Sequence, residues 1–341
     1  MNNQRHYDYI FTGLGASSCI LIHELQRKNL LNQKTILVLD PSTKSVNDKT
    51  YCFWSSDSDQ ITQDFGALAS HSWSKVSIDN LPSQDIGDLK YHHVNSLDLY
   101  NSAKKILSTC NATVLNEEVT EILSDKETIV VSKSGRYTGK KIFDARPPEL
   151  KEKLAKDQNI FQSFIGYKIK LKDKNFNPDA CTLMNFNVAQ QGHTQFVYVL
   201  PFSEDTGLVE LTRFGTEEIS ESGSKTILEE YITEHYGAYE LTGLEVGVIP
   251  MFMDLKPPKP ISGVVPIGTR ANKVKPSTGY AFKNMYAHAK SICNHESVKK
   301  TAPRFRFYDR LLILILALWP NKGKPIFQRL FRVRDTAYVL K

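Results

Sequence analysis

The first forty residues constrain the fold more tightly than any other part of the chain. Residues 7–12 (YDYIFT) read as a short apolar strand. They run into Gly13-Leu14-Gly15-Ala16-Ser17-Ser18 and then into an apolar-periodic stretch, 19–31, that suits a helix. Residues 35–39 (TILVL) form a second buried strand that stops at Asp40. Glycines at such a strand–helix turn let the backbone approach a pyrophosphate at the helix N-terminus, and an acid after the second strand accepts ribose hydroxyls. The pattern predicts a dinucleotide-binding βαβ unit with Gly13, Gly15, Ser18 and Asp40 as cofactor contacts. Ser18 stands where a third glycine is usual, and serine is small enough to allow helix–strand packing.

With 341 residues the chain has room for two domains, or for one large α/β domain with an inserted sheet. Cys19, Cys52, Cys110, Cys181 and Cys293 are scattered and form no CxxC pair. They point to free thiols in a reducing compartment and away from a zinc site or disulfide framework. The N-terminus has no long apolar run ahead of a cleavage site, so no secretory signal is expected.

Charge is unevenly placed. Residues 301–341 carry nine Lys/Arg against Asp309 and Asp335, a net of +7 within a total of +6. The basic residues are interleaved with 311–319 (LLILILALW) and 325–333 (PIFQRLFRV). The apolar run is too short to span a bilayer. Arginine among leucine and aromatics suits helices lying in a membrane interface, and a buried C-terminal helix pair stays open as the other reading. Nucleic-acid binding is disfavoured, because the basic residues alternate with strongly apolar ones.

Residues 196–215 (FVYVLPFSEDTGLVELTRFG) read as two strands, 196–202 and 208–214, joined by the polar turn 203–207. The second strand places one carboxylate, Glu210, among Leu208, Val209 and Leu211. An acid buried among apolar neighbours tends to keep its proton. A protonated carboxylic acid beside aromatic walls is what protonation of an unactivated alkene requires. Two plainer readings compete: Glu210 on the solvent face of an ordinary hairpin, or Glu210 paired to Arg213.

The remaining elements are consistent with two sheets. Residues 112–115, 128–132 and 140–143 read as strands, the last running into Asp144-Ala145-Arg146-Pro147-Pro148, a return to the nucleotide-binding sheet or an ordinary strand exit. Residues 161–171, 182–188, 196–202 and 208–214 predict an antiparallel sheet of four or more strands. A helix is expected over 219–236, capped by Ser220 or Ser222, with a strand at 244–250. His92 and His93 point to opposite faces of a strand and read as structural, with no metal site. Gly268 follows a buried strand, and Ser277, Thr278 and Gly279 precede a helix reaching to about 294, a second candidate for anion or flavin contact.

Several of these stretches together resemble one family, the flavin-dependent lycopene cyclases of the bacterial and plant type. They are the N-terminal unit with Asp40, 47–54 (NDKTYCFW), 144–148 (DARPP), 161–169 (FQSFIGYKI), 198–215, 246–251 (VGVIPM), 267–282 with KPSTGYAF, and 307–316 (FYDRLLILIL). They are collinear over nearly the whole chain.

The resemblance implies an α/β fold: a glutathione-reductase-like FAD/NAD(P)-binding Rossmann domain with an inserted antiparallel β-sheet substrate domain and a C-terminal helical segment. The divisions expected are 1–75 with 95–150 and 245–300 for FAD, 76–94 with 155–244 for substrate, and 301–341 for membrane-facing helices. It implies a lycopene beta-cyclase, an isomerase of the intramolecular lyase type. Such an enzyme uses reduced FAD without net redox change, with NAD(P)H as reductant. It sits peripherally at the cytoplasmic face of the membrane and takes a carotenoid substrate. The catalytic glutamate of the family's ExT element falls on Glu210, facing the flavin side of the sheet, buried, near Trp54 or its aromatic neighbours and without a fully paired Arg213. Phe53, Trp54, Phe196 and Tyr198 are candidates for the substrate wall.

Two features depart from the family. Thr269-Arg270-Ala271-Asn272-Lys273 replaces a usual paired glycine, so that either Arg270 and Lys273 contact the pyrophosphate instead or flavin binding is altered, and a longer C-terminal segment is expected. A flavin monooxygenase on a lipid, and a carotenoid-binding member without turnover, are the alternative functions.

Overall fold

The computed structural model describes residues 5–79, 81–124, 127–148, 160–253, 258–297 and 301–340. The N-terminal pattern folds as expected. Arg5–Thr12 lies between the parallel strands Thr35–Leu39 and Arg136–Asp144. Asn111–Leu115 continues the parallel order beyond Thr35–Leu39, and Val264–Pro266 pairs with the last third of Arg136–Asp144. The strand ending in Asp144 is therefore a return into the sheet of the N-terminal βαβ unit. Its first half also pairs with a hairpin, Val119–Ser124 and Thr128–Ser132.

Three helices, Ala16–Arg27, Ser96–Ser108 and Phe282–Asn294, bury their apolar stripes on one face of this sheet. The first starts three residues earlier than the apolar period suggests, because Gly15 is extended and serves as its N-cap position.

The second sheet has seven strands in the order Tyr239–Met251, Ile160–Leu171, Thr206–Gly215, Thr194–Pro201, Ala180–Asn185, Lys75–Ile78, Gln84–Asp85. The strand expected at 244–250 begins at Tyr239 and pairs along its whole length with Ile160–Leu171. The expected division at 244/245 thus falls inside one strand, whose backbone hydrogen bonds belong to the second sheet. A third, three-stranded sheet (Thr50–Ser56, Leu89–Asn95, Ala69–Trp73) takes in 50–54 of the NDKTYCFW stretch. Likewise, the helix expected from 219 runs Glu221–Tyr236, with Ser220 at its N-cap position but no side-chain capping bond.

Both faces of the second sheet's centre are covered. Helix Glu221–Tyr236 packs on Val197, Val199, Val209 and Leu211. The opposite face, with Phe196, Leu200, Leu208 and Phe214, packs against Trp54, Tyr91 and the C-terminal helices Pro303–Leu318 and Gly323–Val333. Those helices bury Ile313, Leu316, Phe327 and Phe331 but expose Phe305, Phe307, Tyr308, Leu318, Trp319 and Val333. One stripe of the tail packs inward, as the buried helix pair expects, and the other stays bare. No helix among the described residues is long and apolar enough to cross a membrane.

Tight packing at the edge strand follows from glycine. The Phe164 ring lies where a Cβ on Gly247 would stand. Gly247→Ala is expected to cost about 1–3 kcal/mol through overpacking, read as a lower thermal unfolding midpoint. An unchanged midpoint would mean that the ring moves aside freely.

Candidate active site

The parallel strands of the first sheet end together at Thr12, Leu39, Asp144 and Pro266, so the loops that follow share one edge. Gly13 has φ +123°, a conformation that favours glycine, and a Cβ there would lie 3.4 Å from Ala145 Cβ. Around Gly15 the space is open, since an added Cβ would meet nothing within 4 Å. Gly268, at φ +63°, faces Ser17 so closely that a Cβ would come 2.6 Å from its Oγ. Ser18 is fully buried, and its hydroxyl has no partner among the described residues.

Other expected cofactor contacts are already engaged. Asp40 accepts from Leu14 N at 2.6 Å and from Ser42 N at 2.8 Å, with Lys44 Nζ 3.5 Å away. Its carboxylate closes the glycine loop. Arg270, expected at a pyrophosphate, instead contacts Asp144 at 2.7 Å, off the hydrogen-bond direction, and donates to Pro147 O. Burial opposes the Asp144 anion, but hydrogen bonds from Arg146 and Thr12 and the charges of Arg146 and Arg270 outweigh it and hold its pKa below the usual value. Lys273 is partly buried, and burial lowers its pKa.

The helix expected to open at KPSTGYAF begins only at Phe282. Ser277 Oγ donates to Asp309 Oδ1 at 2.5 Å and Lys275 Nζ contacts the same oxygen at 2.7 Å. Ser277 therefore ties its turn to the C-terminal helix. Thr278 is exposed, and Gly279, at φ +73°, makes room for the buried side-chain oxygen of Gln162.

Glu210 lies in the middle of Thr206–Gly215, only 7% exposed. Its cross-strand neighbours are Tyr198 on one side and Gly166 on the other. Alternation along the strand puts Glu210 with Leu208, Thr212 and Phe214, and Arg213 on the other face. Arg213 donates to Gln195 Oε1 at 2.8 Å and reaches Gln191, so it does not neutralise Glu210. The solvent-face reading fails because this strand, unlike that of a one-sided hairpin, is covered on both faces. Burial, and secondarily the charge of Glu245, push the Glu210 pKa from 4.5 up to about 8, against a 2.9 Å hydrogen bond donated by Thr212 Oγ1.

Aromatic side chains stand beside this acid. Tyr198 Oη donates to Tyr91 Oη at 2.8 Å, and Tyr91 Oη to Tyr280 Oη at 3.1 Å. Trp54 stacks on Tyr91 with centroids 4.0 Å apart and meets Tyr280 edge-on. Cys52 Sγ accepts from Tyr198 at 3.6 Å, and burial pushes its thiol pKa up to about 12, so it stays neutral. Phe196 shares the face but packs with Phe186 and Phe214, one step toward the C-terminal helices.

Phe53 is on the wrong side. The pleat separates it from Trp54 and stacks it on Phe282 in the first domain's core, at 5.0 Å. Tyr91, Tyr280 and Glu245 join the cluster without having been expected there. Glu245 repeats the signal of Glu210, an acid in an apolar strand. His92 and His93 hydrogen-bond Ser72 and Ser70 on opposite faces of their strand.

The fold around this cluster matches that of several solved flavin-dependent enzymes. A flavin-dependent halogenase from Xanthomonas campestris gives a TM-score of 0.60 at 8% identity, covering 91% of this chain and 74% of that one. A geranylgeranyl bacteriochlorophyll reductase-like protein from Thermoplasma acidophilum gives 0.59 at 14% identity, over 91% and 84%. The flavin-dependent brominase Bmp2 gives 0.57 at 14% identity, over 98% and 89%. The architecture is thus the FAD-enzyme type of Rossmann fold with an added sheet. Residues 8–337 match the family described as lycopene cyclase protein, and the chain belongs to that family. A lycopene beta-cyclase from Pseudescherichia vulneris is 24% identical over 308 residues, 84% of this chain and 73% of the relative.

The raised pKa of Glu210 carries a stability consequence. Below pH 4.5 the carboxyl is protonated whether folded or unfolded. Between pH 4.5 and about 8 the unfolded chain releases the proton first, so stability falls; above about 8 the full cost, on the order of 5 kcal/mol, is present. Glu210→Gln is therefore expected to raise the unfolding midpoint at pH 9 and leave it nearly unchanged at pH 4.5. Equal midpoint changes at both pH values would contradict the buried, proton-bearing acid.

Proposed function

We propose that the protein is a lycopene beta-cyclase, an intramolecular lyase that closes β-ionone rings on the ψ ends of lycopene, with Glu210 as proton donor. The observation that carries this is the acid itself: a carboxyl whose pKa burial raises to about 8, buried beside Tyr198, and without a cationic partner among the described residues, in a lycopene cyclase family fold. Glu210 delivers its proton to the terminal alkene. The tertiary cation that results is attacked by the neighbouring double bond, and loss of a ring proton yields the cyclohexene. One proton enters and one leaves, so the product is an isomer of the substrate.

A cation formed here meets the faces and hydroxyl dipoles of Trp54, Tyr91, Tyr198 and Tyr280. Aromatic faces and oriented dipoles stabilise developing positive charge where water is excluded. A hydrocarbon offers no polar handle, which fits an apolar wall with few charges.

FAD fits the first domain's edge. The open cradle at Gly15, the backbone of Gly13, the unpartnered Ser18 hydroxyl and the close turn at Gly268 are the residues that would hold it. When bound and reduced, flavin supplies an electron-rich surface that stabilises positive charge, NAD(P)H serving only to keep it reduced. The chain's own contribution is to hold the proton on Glu210 and to wall off water.

The bare stripe of the C-terminal helices, aromatic and flanked by arginine, suits peripheral attachment at a membrane where a carotenoid dissolves. In this reading the C-terminal helices form the membrane-facing part, and the two larger sheets mark the cofactor and substrate parts.

Expression in lycopene-accumulating bacteria tests the reading. The wild type is expected to replace lycopene with β-carotene by way of γ-carotene, and Glu210→Gln to leave lycopene unchanged. Equal pigment from both forms would refute Glu210 as donor. Cyclisation by purified protein is expected to fall as pH rises through about 8, as the donor loses its proton. Replacing Phe307 and Trp319 together by Ser should reduce sedimentation with anionic vesicles severalfold while the unfolding midpoint changes little; undiminished binding would exclude this stripe as the anchor.

A further inference from the structure

Three consecutive strands place one row of residues across the site: Glu210, Gly166 and Glu245, each the direct cross-strand partner of the next. Adjacent strands lie about 4.8 Å apart, so the two acids stand roughly 10 Å apart at their backbones and on the same face. Between them is a glycine. A Cβ on Gly166 would sit 3.3 Å from Glu210 Cβ and 3.0 Å from Leu208 Cδ1, so that face is filled by the neighbouring side chains. Glu245 is 3% exposed and is gripped at both oxygens: Thr50 N donates to Oε1 at 2.8 Å and Thr50 Oγ1 to Oε2 at 2.7 Å. Thr50 opens the strand of the NDKTYCFW stretch.

We infer that Glu245, clamped by Thr50, is the positioning residue that keeps Glu210 in its proton-bearing form and links the NDKTYCFW strand to the acid. Two donors to two oxygens favour a carboxylate. A fixed negative charge facing Glu210 across a residue with no side chain disfavours a second anion there. The asymmetry is in the donors: Glu245 receives two hydrogen bonds from Thr50, one of them from the main chain, and Glu210 receives one from a hydroxyl. The pair therefore divides its roles: Glu245 is fixed by Thr50, and Glu210 holds the proton.

The remaining groups around Glu210 do not supply this effect. Tyr198, Tyr91 and Tyr280 carry neutral hydroxyls whose pKa values burial raises. Cys52 is held neutral by burial. His93, on the same face as Tyr91, is driven down to about 3 by burial and stays uncharged. Lys168, on the same face of Ile160–Leu171, donates to Asn47 O at 3.0 Å. Thr212, on the acid's own strand, is neutral, and Arg213 faces away. From the C-terminal helices the face receives Ile313, Leu316, Phe327 and Phe331, and Asp309 is joined to Lys275 and Ser277.

The inference rests on Glu210 as the proton donor, and its test separates the two. In full-length protein carrying carboxyl-¹³C glutamate, the Glu210 resonance, assigned by its loss in Glu210→Gln, is titrated by NMR. Wild type is expected to titrate near 8. Glu245→Gln should lower that midpoint by about one unit, a tenfold change in the protonation equilibrium, and Glu245→Asp should restore most of it. Thr50→Val, which removes one donor and keeps Glu245, should lower it by a smaller amount and serves if Glu245→Gln does not fold. The alkaline limb of cyclisation should move with the NMR midpoint. A Glu210 midpoint unmoved in Glu245→Gln, or in Thr50→Val where the former does not fold, overturns the inference, whatever Glu210→Gln does to turnover. Cyclisation surviving in Glu210→Gln would instead overturn the proton-donor reading and leave a shifted midpoint standing.

Discussion

The site depends on one costly act, the removal of a carboxyl from water in the centre of a sheet. Water is kept from Glu210 by two packed layers, helix Glu221–Tyr236 behind the sheet and the Trp54, Tyr91 and C-terminal helix cluster in front of it. Neither layer alone would suffice. With one face open, the same strand would present an ordinary ionised surface acid. The folded chain bears a cost for this group above its ordinary pKa, in keeping with the strain and desolvation that proteins concentrate at functional sites.

That requirement explains parts of the chain distant in sequence. Strand Thr50–Ser56 sends Trp54 and Cys52 toward the acid and Phe53 and Tyr51 toward the core of the first sheet and its helices, so a single pleat joins two cores. The turn holding Tyr280 is pinned by Ser277 and Lys275 to Asp309, which sets the first C-terminal helix against the same cluster.

Much of the scaffold was legible because local patterns carried it. Residues 35–39 and 128–132 have the boundaries their periodicity suggests, and the glycine turn at 13–15 follows from the strand and helix around it. Less legible was anything set by pairing between distant segments. The strand from Tyr239 was underestimated because its exposed edge alternates polar and apolar residues weakly. Ser277, Asp40 and Arg270 were candidates for ligand contact on residue type. Each is occupied by a partner that chain order does not reveal, namely Asp309, Leu14 N and Asp144.

Sequence alone determined that an acid stood among apolar residues at 210, that a dinucleotide-type unit began the chain, and that the tail was both basic and apolar. These are properties of composition and spacing, which a linear pattern contains. Only the tertiary structure decided that Glu210 faces inward with Tyr198, that Arg213 points the other way to Gln195, and that Glu245 looks across Gly166 at the same acid. The reason is physical: burial, and the register of three strands separated by tens of residues, are set by what packs on a sheet, and no single strand encodes its cover.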